Sequence, residues 1–183
     1  MRIESVPSKL VNVNGDSCFA SCMGMALTHF DMLGGLSLGD IVSQTSQPSE
    51  AVTPMHRALG WLASFGLQVE YIENLPGTER LFIESLERAG VNYTGLRPTT
   101  QTAIERVNRG DAIITQINYD GYTGQPYFAL NHAVFLSSFP DGESVWLVDP
   151  ADPRMAYGTD DLSDIWGPYP NLISIRKEAS TIC

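Results

Sequence analysis

Cysteine and histidine are scarce in this chain, with three of each in 183 residues. Three cysteines, Cys18, Cys22 and Cys183, do not make a disulfide framework. The opening "MRIESVPSKLV" lacks the apolar centre of a signal peptide. No apolar run reaches the roughly 18 residues needed to cross a bilayer. The expectation is a cytoplasmic protein in a reducing setting, with leaderless export left open. Basic residues are also few: 11 Lys and Arg stand against 21 Asp and Glu, for a net charge of −10 and a pI near 4.6. Nucleic acid binding needs clustered cations to displace counterions, and an anionic membrane surface needs the same. This balance argues against both partners, whereas a basic peptide is compatible with it. No segment, "GGLSLGD" included, matches a phosphate-binding loop or a dinucleotide fingerprint, so no cofactor is expected. There is no internal repeat or low-complexity linker. The 43% apolar content supports a core, and residues 1–183 read as one domain.

What is present changes character along the chain. Apolar spacing and glycine stops predict helices over about 17–32, 38–44, 54–66 and 77–90, with a strand at "LQVEYIE" (67–73) between the last two. A capped helix "TTQTAIERVNRG" follows, then strands at 111–119, 128–139 and 144–150, the last two joined by the turn "PDGE". "DLSDIWG" reads as a short helix and "NLISIRK" as a final strand. The class is α+β, a helical N-terminal half packed on a C-terminal antiparallel sheet.

Chemistry enters at "NVNGDSCFASCMGMALT" (12–28). Asn14-Gly15-Asp16 is turn chemistry, and Asp16 or Ser17 is placed to cap a helix. Cys18 then falls in the first turn, where free N–H groups and the helix dipole stabilise a thiolate. A thiol nucleophile needs a base, a group to orient that base, and donors for the oxyanion. His29 lies eleven residues down the same helix, roughly 16 Å away, too far to serve. His56 reads as a surface residue. His132 stands inside the apolar strand "FALNHAVFLSSF", where ionisable groups are unusual. Asp149 ends the next strand at "VWLVDPAD", which the hairpin lays beside that of His132, and a carboxylate there accepts an imidazole N–H. A metal site on Cys18, Cys22 and His29 fails, because His29 is two turns too distant and a closed zinc site needs a fourth ligand. No metal is expected.

The order Cys, His, Asp over helix-then-sheet resembles the papain-like cysteine peptidases, and within them the bacteriocin-processing family that cleaves leader peptides after a double glycine. The resemblance is carried by Cys18-Phe19-Ala20-Ser21-Cys22-Met23-Gly24-Met25, with Cys22 and Met25 at the family's offsets. It continues in "NHAVFLSSFPDGESVWLVDPA" and the closing "DLSDIWGPYPNLISIRK". It implies a papain-like fold, packing roles for Cys22 and Met25, and a peptide or protein substrate cleaved through a thioester on Cys18. His132 is then the base and Asp149 the orienting acid. The family's oxyanion-hole Gln, six residues before the nucleophile, is replaced here by Asn12, a shorter amide donor, with Asn14 as the fallback. Phe19 replaces the glycine after the nucleophile, and faces either the cleft or the core. The tyrosines of the 120–127 loop precede His132 and are candidates for a cleft wall. Members of that family are often fused to an ABC exporter, and no transporter-like segment lies within these residues. The resemblance therefore points to the chemistry rather than to leader removal. Two other readings share the scaffold: an acyltransferase or amide-forming enzyme on the same triad, and a catalytically weak peptide-binding domain. Oligomeric state is not legible.

Overall fold

A computed structural model describes residues 6–11, 17–45, 55–74, 80–118, 131–151, 156–163, 165–166 and 170–177. A short 3-10 turn at Ser8–Leu10 precedes α1 (Cys18–His29), α2 (Leu38–Thr45) and α3 (Met55–Ala63). Then come β1 (Leu67–Glu73), α4 (Arg80–Arg88), β2 (Val91–Thr94) and α5 (Thr100–Asn108). The chain continues through β3 (Ala112–Asn118), β4 (Asn131–Ser138), β5 (Val145–Val148), β6 (Ala156–Thr159) and β7 (Asn171–Lys177). The seven strands form one sheet in the order β2-β1-β7-β3-β4-β5-β6. The class is α+β, as expected from the pattern.

The sheet differs from the antiparallel C-terminal one that the sequence suggests. It is mixed, and β1 and β2 of the helical half form one of its edges, paired parallel through the α4 crossover. β1 docks antiparallel on β7, Leu67 facing Lys177 and Glu73 facing Asn171, so the first half of the chain completes a sheet begun by the second. β2 is too short, four residues between Gly90 and Gly95, to carry an alternation signal. β6 owes its strand to pairing with β5 rather than to local pattern. The segment "DLSDIWG" is not a helix among its described residues but a single turn, Trp166 N–H donating to the Leu162 carbonyl at 2.9 Å. Leu162 and Trp166 are both buried there, and the Trp166 indole N–H donates to Thr115 Oγ1 at 2.8 Å, so packing against the sheet replaces helical propagation.

One face of the sheet buries Val69, Tyr71, Ile114, Phe135, Ile173 and Ile175 under α1, α3 and α4, with α2 packed on α1 and α3. The other buries Ile113, Ile117, Val134, Leu136 and Leu147 under α5 and Trp166. The first helix is apolar nearly all round, which is what a helix lying between a sheet and other helices requires. Its glycine, Gly24, lets the Ser8–Leu10 turn and α2 approach: a β-carbon there would stand 2.6 Å from Leu10 Cδ2 and 2.9 Å from Ile41 Cδ1. Ser21, also buried, donates its hydroxyl to the Leu10 carbonyl and ties the same turn to α1. No helix among the described residues is long and apolar enough to cross a membrane.

Two glycine substitutions test this packing by urea denaturation. Gly24→Ala should cost about 1–3 kcal/mol, since added volume meets core side chains. Gly39→Ala, on the exposed side of α2 where the nearest atom to a new β-carbon is Ser37 Oγ at 3.8 Å, should instead gain about 0.5–1 kcal/mol.

Candidate active site

The amino end of α1, the start of β4 and the end of β5 meet at one end of the sheet. Ser17 is the residue before the first helical turn, its side chain making no capping bond, and Cys18 follows half-buried. His132 is the second residue of β4, opposite Ile117 of β3 and 6% exposed. Asp149 is the first residue past β5 and 3% exposed. His132 Nε2 stands 2.7 Å from Asp149 Oδ1, and the same oxygen accepts the Ala151 N–H at 2.7 Å. Asp149 thus opens the turn after β5 and anchors the imidazole with a single oxygen. With Nε2 engaged, Nδ1 is the nitrogen left for the Cys18 sulfur, to which His132 is hydrogen-bonded.

The backbone contributes as well. Pairing of β4 with β5 ends at Phe135↔Val148, so Ala133 runs past the last β5 partner, and its backbone reaches the Cys18 sulfur instead. Burial alone pushes the Cys18 thiol up. The His132 hydrogen bond, the backbone at Ala133, the imidazolium charge and the Phe19 backbone together outweigh it, and the thiol lies below its ordinary value of 9.0. Burial likewise pushes His132 down. Its hydrogen bonds to Asp149 and Cys18, and the charges of both, outweigh that and raise it from 6.5 to about 9. The favoured resting state is therefore a thiolate–imidazolium pair beside a carboxylate. Its window runs from the lowered thiol pKa upward to about 9: below it the sulfur is protonated, above it the ring is neutral.

The other sequence candidates fall elsewhere. Cys22 and Met25 are fully buried in the core, and burial, with the negative charges of Cys18 and Asp149, pushes the Cys22 thiol well up. Phe19 is half-buried, with part of its surface packed against the same core. His29 lies at the far end of α1 with Nε2 3.0 Å from the Gly110 carbonyl, and His56 is exposed. Asn12, Asn14, Asp16, Cys183 and the 120–127 loop lie outside the described residues. No cluster of three or more His, Cys, Asp or Glu suited to a metal occurs among the described residues. A surface groove of about 1080 Å³ lies near His29, Gly110, Ser138 and Gly142, at the opposite end of β4 from His132. It has no part in this constellation.

Sequence reasoning missed Ala133, whose contribution is backbone and carries no residue signature. It also missed Gln116 and Asn171, which clamp each other beside the site: Asn171 Nδ2 donates to Gln116 Oε1 at 2.7 Å, and Gln116 N–H donates to Asn171 Oδ1 at 3.2 Å. A glutamine two residues after Ile114, on the same strand face in "DAIITQINY", was the available signal. A comparison with family models matches none of them, and one with curated proteins finds no significant match.

Iodoacetamide alkylation followed by intact mass across the thiol titration range checks the electrostatics. Cys18 should react in the folded protein with a half-point below 9.0, and Cys22 should stay unlabelled. In His132→Ala the half-point should move upward, because burial of the sulfur remains while the hydrogen bond and the positive charge are gone.

Proposed function

We propose that the chain is a cysteine peptidase-like acyl-transfer enzyme of papain-like architecture, acting on a peptide or protein substrate. The observation that carries this reading is the continuous hydrogen-bonded chain from Cys18 through His132 to Asp149, with the sulfur at the first turn of a helix. A structural histidine needs one partner, and a buried thiol needs none. Here the imidazole is held from one side by a carboxylate and meets a sulfur on the other, which is the arrangement that makes a thiol nucleophilic at neutral pH.

The chemistry follows from that pair. The Cys18 thiolate attacks the carbonyl carbon of an amide, and a C–S bond forms as the carbonyl oxygen takes the negative charge. The His132 imidazolium passes its proton to the departing nitrogen, and the C–N bond breaks to leave a thioester and a neutral imidazole. A water molecule then gives His132 its proton as the oxygen attacks the thioester. Collapse expels the Cys18 thiolate and restores the ion pair, with one water consumed per bond cut. An amine in place of water would give transfer instead. Asp149 holds the ring and stabilises its charged form throughout without being protonated. The oxyanion would be met by the backbone N–H of Cys18, and by the side-chain amide of Asn12 if the chain carries the family's hole in its shorter form.

A p-nitrophenyl ester tests this without knowledge of the natural substrate. The wild type should release a burst of p-nitrophenolate equal to the enzyme present and carry the acyl group on Cys18. Cys18→Ala should show no burst, and His132→Ala should acylate roughly 10²–10⁴-fold more slowly. Added glycinamide separates hydrolysis from transfer by the product formed. Acylation indifferent to both substitutions would leave a papain-like scaffold that binds peptides without turning them over. Asp149→Asn removes the charge that helps hold His132 near 9, so the alkaline limb of the rate profile should shift to lower pH.

A further inference from the structure

On the face of the sheet under α1, α3 and α4 the central row is wholly apolar, and the row at the end that carries Cys18 is mostly polar. Antiparallel partners directly opposite one another share a face. One such row reads Tyr71, Ile173, Ile114, Phe135, all buried. Two residues further toward the Cys18 end, the register reads Glu73 opposite Asn171, and Gln116 opposite Ala133. The mutual Gln116–Asn171 hydrogen bonds join the two halves of the row. Three polar side chains therefore line up on four adjacent strands, and the row begins at the residue whose backbone touches the nucleophile.

Each member is fixed. Asn171 occupies both ends of its amide on Gln116, which orients the half-buried Gln116 and leaves its NH₂ group uncommitted among the described partners. Glu73 is the last residue of β1 and 5% exposed. Its carboxylate is hydrogen-bonded to the Tyr71 hydroxyl, and no cation pairs with it among the described residues. Tyr93 from β2 donates to the Glu73 carbonyl at 2.9 Å and holds the strand end in place. Burial raises this carboxyl above its ordinary value, so its charged form is costly unless something positive reaches it. The nearby acid Glu70 shows the contrast: it is paired with Arg106 at 2.6 Å on the other face.

We infer that Gln116, Asn171 and Glu73 form a polar track leading away from Cys18, at whose far end Glu73 takes a cationic group of the substrate: a lysine or arginine side chain, or a free amino terminus. Three strand spacings separate Ala133 from Glu73, roughly 14 Å, which an extended peptide covers in about four residues. Gln116 offers an amide donor to the substrate backbone on the way, and the Tyr71 hydroxyl, which burial and the Glu73 charge keep protonated, shares the carboxylate with the incoming cation. The acidic chain as a whole favours approach of such a substrate. This inference rests on Cys18 being the nucleophile, and deepens that reading by naming a specificity residue.

The test uses epoxysuccinyl probes bearing a glycine-rich peptide arm on one or the other side, with a single lysine moved position by position along the arm. Norleucine and glutamate replace the lysine in matched probes. The thiolate opens the epoxide, so a C–S bond replaces a C–O bond, His132 protonates the alkoxide, and intact mass reads the rate. A lysine about four residues from the epoxide on one arm should speed alkylation of Cys18 roughly ten-fold over norleucine, and glutamate there should slow it. Glu73→Gln should erase the difference while leaving alkylation by armless iodoacetamide unchanged. Should Glu73→Gln fail to fold, the three probes on the wild type decide alone, because the track demands one maximum at a distal position. Lysine without advantage at every position, or an advantage that survives Glu73→Gln, overturns the inference. Failure of iodoacetamide to single out Cys18 overturns the underlying reading as well.

Discussion

Everything at the candidate site depends on the registration of β4 between β3 and β5. Side chains alternate with a period of two along a strand, so a slip of one residue would turn His132 to the opposite face and carry Ala133 away from Cys18. The register is held by burial on both faces at once. Phe135 fills the side under α1, Val134 and Leu136 the side under α5, and no shifted pairing satisfies both. The end of β5 matters equally. Because its pairing stops at Val148, Asp149 is free to turn toward His132, and the Ala133 backbone is available to the sulfur. A longer β5 would consume both.

The second support is α1, whose start must arrive at that same point. It is placed by its body rather than by its cap. Cys22, Met25, Ala26 and Leu27 are wholly buried, Gly24 admits Leu10 and Ile41 into near contact, and Ser21 bonds the Leu10 carbonyl. A rigid cylinder fixed along its length delivers its first residue accurately. The electrostatics then need little else, since the first turn brings N–H groups and dipole to the sulfur and β4 brings the imidazole.

These two supports explain what was legible. Cys18, His132 and Asp149 could be read because each breaks a local rule: a thiol at a helix start, an ionisable ring in an apolar strand, an acid where a strand turns. Strands β1 and β7 could be read because each is long enough to alternate. The partnership between them could not, since a contact across a hundred residues leaves no mark on either segment. That missed pairing accounts for the expectation of an antiparallel sheet confined to the second half, when β1 and β2 in fact extend it at one edge. The helix expected at "DLSDIWG" failed for a related reason. Its apolar residues are spaced for a helix, but Leu162 and Trp166 find their partners in the sheet, and tertiary packing overrides propensity.

The polar row follows from the same logic and bears on how such a fold divides its labour. Glu73, Asn171, His132 and Asp149 are all buried at one end of the sheet, where desolvation works against each of them. The rest of the sheet is largely apolar, its buried Thr115 and Ser174 are hydrogen-bonded, and apolar burial offsets that local cost. Polar groups retained where apolar ones would stabilise more are better explained by what they contact than by what they hold together. His132 contacts Cys18, Asp149 contacts His132, and Asn171 contacts Gln116. Glu73 is the acid of the set that meets no cation within the described residues, while burial raises its carboxyl above the ordinary value, and that asymmetry is what the inference of a cationic substrate group rests on.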